Sequence, residues 1–279
     1  ETIAGDPSNP LVGQVWYNST SNDLKCYKYE IGTGAWSSGT ASPEAHVSGA
    51  GVGTQTAYIA IGSAPGNTGN ESYNGTSWTQ ANDLVTKRPS NTGTFGTTAA
   101  GLTSGGPANL VEIYDGTCWS ETANLTRTTG TTQQGGTGTT TADLIFAGNP
   151  GNVVLTETWN GTSWSETNDG NVGRHVNFGI GTQTAALSAG GNAPPLPYQD
   201  LTEIWNGSSW TEVADMNTAR GRGGVSGTST AGLIIAGTAG PPGVQVAVES
   251  WDGTSWTSVA SITTGNYGGI GTPSGPNGV

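Results

Sequence analysis

Apolar side chains in this chain of 279 residues come in short alternating runs bounded by turn residues. In "VESW", residues 248–251, Val248 and Ser250 share one strand face, and Glu249 and Trp251 the other. Asp252-Gly253 follows, and then "TSWTSV". Asp-Gly between alternating runs predicts a β-hairpin with one aromatic on each arm and both turn residues at positive φ, as a type I′ turn requires. The pattern recurs in "TEIWNGSSWTEVA", "TETWNGTSWSET", "VEIYDGTCWSETA" and "NESYNGTSWTQA". The second aromatic falls at Trp78, Trp119, Trp164, Trp210 and Trp256, and a weaker copy, "KCYKYEIGTGAWSS", ends at Trp36. Successive copies lie 41 to 46 residues apart.

Between hairpins the chain reads as a Gly-rich strand and then an apolar one, as in "GGVSGTS" and "GLIIAGT". No segment sustains a 3.6-residue apolar period, so no helix is expected. Four short strands repeating at this length predict propeller blades. Each blade is a sheet too small to cover its own faces, so neighbours must bury them. The innermost strand runs where backbones crowd, which accounts for its glycines. The paired aromatics are then expected between blades as core.

The order Glu-x-aromatic-Asx-Gly-x-x-Trp, then an Arg, then Gly-Gly, resembles the kelch repeat over residues 24–279. Arg88, Arg127, Arg174 and Arg220 stand near that family's Arg position. Gly105-Gly106 and Gly190-Gly191 stand at its Gly-Gly position, where Ala147-Gly148 and Ala236-Gly237 depart from it. Six Trp-marked hairpins with Gly-rich inner strands, together with this resemblance, predict an all-β, six-bladed, kelch-like β-propeller. "NYGGIGTPSGPNGV" at the C-terminus would supply an inner strand to the N-terminal outer strands, closing the ring and removing sheet edges. Residues 1–23 form a separate attachment or closing segment. Within "AGDPSNPLVGQVWYNSTSNDLKCY", Pro10, "GQVWYN" and "NDLK" resemble short segments of tailed-phage tail fibres and collar proteins.

Composition changes this picture little. Net charge −12 with 33% hydrophobic residues approaches a disordered composition, but 10 Trp and 8 Tyr at fixed repeat positions replace the missing aliphatic core. Only 10% of residues are charged, so Thr, Ser, Asn and Gly supply solubility. An acidic chain repels nucleic acid and anionic membranes, and no apolar run is long enough to span a bilayer. The chain begins at Glu1, which reads as a processed chain or a fragment. Cys26 and Cys118 lie in non-neighbouring repeats and are expected as buried or semi-buried free thiols.

No catalytic residues, cofactor site or metal site are expected. His46 and His175 sit in different repeats without a cluster of further ligands. A kelch-type copper oxidase site would need a His, Tyr and Cys set that does not map here. The repeated arginines are the material for a sialidase-like ring, but each is expected instead to bond carbonyls of a neighbouring blade. Glu71, Glu112, Glu157, Glu203 and Glu249 recur once per repeat, which marks structural carboxylates that accept hydrogen bonds. The Asn-Gly-Thr sequons are read as turn chemistry rather than glycan acceptors.

The expected function is that of a non-enzymatic virion structural protein of a tailed phage: a tail fibre, knob or capsid decoration exposed on the virion surface. Its partners are then other virion proteins and a host-surface glycan. The alternative is a secreted propeller enzyme of carbohydrate oxidase or sialidase type; a cellular kelch adaptor would need a partner domain. Contacts are expected on the loops that break the repeat, because blade strands are occupied by packing. "GNAPPLPYQD" offers Pro194, Pro195, Pro197 and an exposed Tyr198, and "AGPPGVQ" offers Pro241 and Pro242. Prolines lower the entropic cost of contact and Tyr is favoured at interfaces, while both loops are equally readable as rigid connectors.

Overall fold

The alternating runs become strands in a computed structural model, which describes residues 2–3, 15–20, 23–26, 40–43, 50–54, 56–63, 67–88, 93–106, 108–127, 130–193, 198–240 and 243–265. The chain divides into two compact units, Glu1–Ser37 and Ser38–Val279. In the first, β1 (Thr2–Ile3), β2 (Val15–Asn18) and β3 (Asp23–Cys26) form one sheet, with β1 parallel and β3 antiparallel to β2.

Among the described residues, the second unit holds five four-stranded antiparallel sheets. Blade 1 is β4 (Ala50–Thr54), β5 (Ala57–Ser63), β6 (Asn67–Tyr73) and β7 (Trp78–Ala81). Blade 2 is β8 (Gly93–Gly96), β9 (Gly101–Ser104), β10 (Val111–Tyr114) and β11 (Trp119–Glu121). Blade 3 is β12 (Gly135–Thr139), β13 (Ala142–Phe146), β14 (Thr156–Trp159) and β15 (Trp164–Glu166). Blade 4 is β16 (Phe178–Thr182), β17 (Ala185–Ala189), β18 (Thr202–Trp205) and β19 (Trp210–Glu212). Blade 5 is β20 (Gly224–Thr228), β21 (Ala231–Ile235), β22 (Val248–Trp251) and β23 (Trp256–Val259). Strand order within each blade follows chain order, and the first strands β4, β8, β12, β16 and β20 approach one another in sequence. This unit is a β-propeller.

Blade number corrects the expectation of six: among the described residues there are five. Asp23–Cys26, assigned from the sequence to an outer strand of a sixth blade, instead takes its strand partner from Val15–Asn18, which pairs in turn with Thr2–Ile3. One edge of this strand is thereby paired within the N-terminal sheet. The Trp36 copy and residues 266–279, invoked for closure of the ring, lie outside the described residues.

Packing between blades answers why so polar a chain clusters its tryptophans. Trp251 and Trp256 face each other across the β22–β23 ladder, ring centroids 5.3 Å apart, and join Ile180 and Leu187 of blade 4 in one buried cluster. Trp205 and Trp210 join Leu144 and Phe146 of blade 3. Trp159 and Trp164 join Phe95 and Leu102 of blade 2, and Tyr114 and Trp119 join Val52 and Ile59 of blade 1. Each aromatic pair therefore packs on the inner strands of the preceding blade. These flat side chains bury large areas where aliphatic residues are few. Inner-strand glycine has the expected cause: a Cβ on Gly179 would lie 2.4 Å from the carbonyl oxygen of Gly136 in the next inner strand.

The hairpin turns differ from the type I′ expectation. Trp251 pairs with Trp256, leaving a four-residue loop in which Gly253 has φ 96° and Asp252 does not enter the left-handed region. Asp252 Oδ1 accepts the Thr254 and Ser255 amides, both at 2.8 Å, and the Thr254 hydroxyl at 2.7 Å. That hydroxyl, followed by the two amides, holds the Asp252 carboxyl down to about 2. Asn74, Asp115, Asn160 and Asn206 accept the same pair of amides in their turns. An Asx side chain thus replaces the backbone conformation a two-residue turn would demand. The β10–β11 loop also leaves Cys118 exposed rather than buried, and the side chain of Cys26 lies outside the described residues.

Candidate functional site

The repeated charged residues come together, but inside the blades. Arg88 pairs with Glu112 at 3.0 Å, Arg127 with Glu157 at 2.6 Å, Arg174 with Glu203 at 2.6 Å and Arg220 with Glu249 at 2.8 Å. All eight side chains are buried. Each Glu also accepts from the connector that leads into its blade. Glu203 takes the Asn171 amide and side chain, both at 2.8 Å, and Glu249 takes those of Asn217 at 2.7 and 3.0 Å. Glu157 takes the Thr126 amide and hydroxyl at 2.7 and 2.8 Å. The structural reading of these carboxylates is correct; the arginines are their missed partners.

The carbonyls that the arginines bond belong to their own blade, not to a neighbour. Arg174 donates to Leu201 O at 2.8 Å and to Ser188 O at 3.3 Å. Arg88 donates to Gly105 O and Leu110 O. Arg88, Arg127 and Arg174 are thus struts from the connector to the second-to-third-strand hairpin of one sheet, and Arg220 is ion-paired to the third strand. Burial pulls the guanidinium groups of Arg88, Arg174 and Arg220 below their ordinary value, against the pull of the paired glutamates. Arg220 is the poorest fit: it lies beside Glu249, but no side-chain nitrogen reaches hydrogen-bond geometry. Its counterpart Arg174 uses the Ser188 hydroxyl at 3.0 Å, and Ile234 occupies the register position of Ser188 in blade 5.

Antiparallel strands send the connectors between blades, and the loops between second and third strands, to one side of the propeller unit. On this loop face three inner strands share a kink. Gln133, Val176 and Arg222, each two residues before its inner strand, have φ 58°, 52° and 61°. Opposite them stand the positive-φ pairs Ala147-Gly148, Gly190-Gly191 and Ala236-Gly237. The Ala copies of the Gly-Gly motif therefore keep its conformation, with Ala147 and Ala236 at φ 63° and 60°. Beyond the kinks, Thr132 pairs with Asn149, His175 with Asn192 and Gly221 with Thr238. The kinks also join blades: the Val176 amide donates to Gln133 O at 2.7 Å, and the Arg222 amide to Val176 O at 3.2 Å.

This face of blades 3 to 5 carries the side chains that break the repeat. The His175 ring places Nδ1 2.5 Å from Asn152 Oδ1. With that oxygen accepting, Nδ1 carries the proton and Nε2 remains the free ring nitrogen. Burial, and then the positive charge of Arg222, hold His175 below the ordinary imidazole value. Tyr198 is half-buried, a correction to its expected exposure; a Cβ on Gly240 would lie 3.9 Å from its ring. The two repeat-breaking loops thus meet. Pro194, Pro195, Pro197, Pro241 and Pro242 lie outside the described residues, as does His46, four residues before β4, where Arg174 and Arg220 stand before β16 and β20.

Asn152 and Arg222 were not singled out by sequence reasoning. A signal for Arg222 exists: it stands two residues after the repeat arginine Arg220, where the copy at Arg174 has Val176, and no repeat glutamate is left for it. Among the described residues, no three His, Cys, Asp or Glu side chains converge.

The propeller geometry has a counterpart among solved structures. One described as the structure of YjhT aligns with a TM-score of 0.68, over 83% of this chain and 88% of that chain, at 10% identity. At that identity the similarity is one of fold. No family model matches the chain, and no curated protein matches it.

Proposed function

We propose that this chain is a non-enzymatic binding propeller of a tailed-phage virion, a kelch-like tail fibre, knob or capsid decoration protein whose loop face meets a host-surface glycan or a neighbouring virion protein. One observation carries the reading. The charged residues that recur in the repeat are buried as blade struts, whereas the irregular residues gather on one face, around Tyr198, His175 and Arg222. Support also comes from the N-terminal segment with Pro10, "GQVWYN" and "NDLK", and from a surface of Thr, Ser, Asn and Gly. Such a surface hydrogen-bonds sugar hydroxyls through uncharged donors and acceptors.

The test is binding of the purified chain to host cells and to a panel of immobilised glycans, together with antibody labelling of intact particles. Saturable binding and particle labelling are expected. Turnover of a glycoside or an alcohol, abolished by one substitution, overturns the non-enzymatic reading.

A further inference from the structure

We propose that Arg222 forms the carboxylate-binding centre of a site at the boundary of blades 4 and 5, with His175 beside it to accept a sugar hydroxyl, and that its ligand is an acidic sugar of the uronate class. This rests on the reading of the loop face as a glycan-binding surface and names the group that the face selects.

Arg222 is the arginine without an assigned task. The other four are ion-paired within their blades. Among the described residues, the Arg222 side chain has no ion pair and no hydrogen bond, and its Nε is buried without a partner. A buried guanidinium N–H left unbonded is costly, and a carboxylate oxygen is the acceptor that fits it best, because the planar fork offers two parallel donors.

The backbone brings a second group to the same place. The Arg222 amide donates to Val176 O, and Val176 directly follows His175. Asn152 holds the His175 ring through Nδ1–H, so that the unprotonated Nε2 is left to accept a hydrogen bond from a ligand hydroxyl. His175 feels the positive charge of Arg222, which places the two groups within electrostatic reach. The chain as a whole carries net charge −12 and repels anions at a distance. Recognition of the carboxylate must therefore come from contact with Arg222.

The surroundings match a sugar ring. Gly221, beside Arg222, pairs with Thr238, and a Cβ on Gly240, two residues further on, would lie 3.9 Å from the Tyr198 ring. Asn152, Thr238 and Gln133 offer uncharged donors and acceptors to hydroxyls, and Tyr198 offers an aromatic face.

The experiment measures binding of galacturonate, galactose and acetate to the full chain and to its Arg222→Gln, Arg222→Lys and His175→Gln variants. Gln133 occupies the equivalent kink in blade 3, so Gln is compatible with this backbone; near-ultraviolet circular dichroism of the tryptophans checks each fold. Galacturonate is expected to bind in preference to galactose and to be displaced by acetate. Arg222→Gln should weaken galacturonate by about 10- to 100-fold, with galactose unaffected. Arg222→Lys, which keeps the charge but loses the fork, should fall between, and it serves alone if the Gln variant does not fold. Equal binding of both sugars, galacturonate affinity unmoved by Arg222→Gln, or no binding of galacturonate or acetate overturns the site. Glycan binding independent of Arg222 overturns this site and spares the glycan reading. Arg222-dependent binding of acetate alone supports the carboxylate site and removes the glycan reading.

Discussion

Trp256 donates its indole N–H across a blade boundary to the hydroxyl of Thr202, 3.1 Å away, and Trp210 does the same to Thr156. Both hydroxyls occupy the position just before the repeat glutamate, in the third strand of the preceding blade. In blade 2 that position is Val111, and Trp164 of blade 3 is left with a buried, unbonded N–H. In blade 1 it is Asn70, whose amide is engaged with Asn82 O and the Gly62 amide, and Trp119 is likewise unbonded.

Val111→Thr should therefore give Trp164 its missing acceptor and raise stability by about 1 kcal/mol, while Thr202→Val should lower it by about 1–3 kcal/mol. Denaturant titration with tryptophan fluorescence measures both. If Val111→Thr is neutral and Thr202→Val costs nothing, these hydroxyls do not link the blades.

Removing one member of a buried strut should be far more damaging than any surface change. Glu203→Ala leaves Arg174 charged and enclosed, and also strips the Asn171 amide of its acceptor. A loss of about 3–5 kcal/mol is expected. Thermal unfolding of Glu203→Ala beside an exposed control such as Glu212→Ala decides it; equal melting midpoints would mean that the strut is not structural.

Asp143 is fully buried in β13, with Oδ2 unbonded, where Ala186 and Gly232 stand in blades 4 and 5. Burial pushes its carboxyl well above the ordinary value. The folded state thus holds a proton that the unfolded chain releases near pH 4. Stability tied to that proton is complete below the unfolded value and is lost as pH rises through the folded one. Asp143→Ala should accordingly stabilise the protein by about 1–3 kcal/mol at pH 8 and by less at pH 4. Paired melting curves at the two pH values test the sign, and an advantage that grows on acidification would contradict it.

Tyr198→Ala removes the ring that neighbours Gly240 and should weaken partner binding by about tenfold. Because Tyr198 is half-buried, a stability loss of no more than about 1 kcal/mol is expected alongside. Full binding with an unchanged melting profile would take this loop out of the contact surface.

What the sequence determined by itself is local. Alternation around Asx-Gly marks each hairpin, the spacing of Trp78, Trp119, Trp164, Trp210 and Trp256 marks each blade, and glycine marks each crowded inner strand. These features are legible because a turn, a pleat and a repeat are each encoded within a few neighbouring residues. The tertiary structure alone decided the rest. Asp23–Cys26 reads equally as a blade strand, and only its pairing with Val15–Asn18 removed the sixth blade. Arg174 and Glu203 recur in step along the chain, but their contact depends on a connector folding back over its own sheet. His175, Asn152 and Arg222 come from three blades and share no motif; the kinks and inter-blade hydrogen bonds bring them together. A short-range pattern specifies backbone conformation, whereas the meeting of distant side chains depends on how whole sheets stack, a relation that no stretch of neighbouring residues contains.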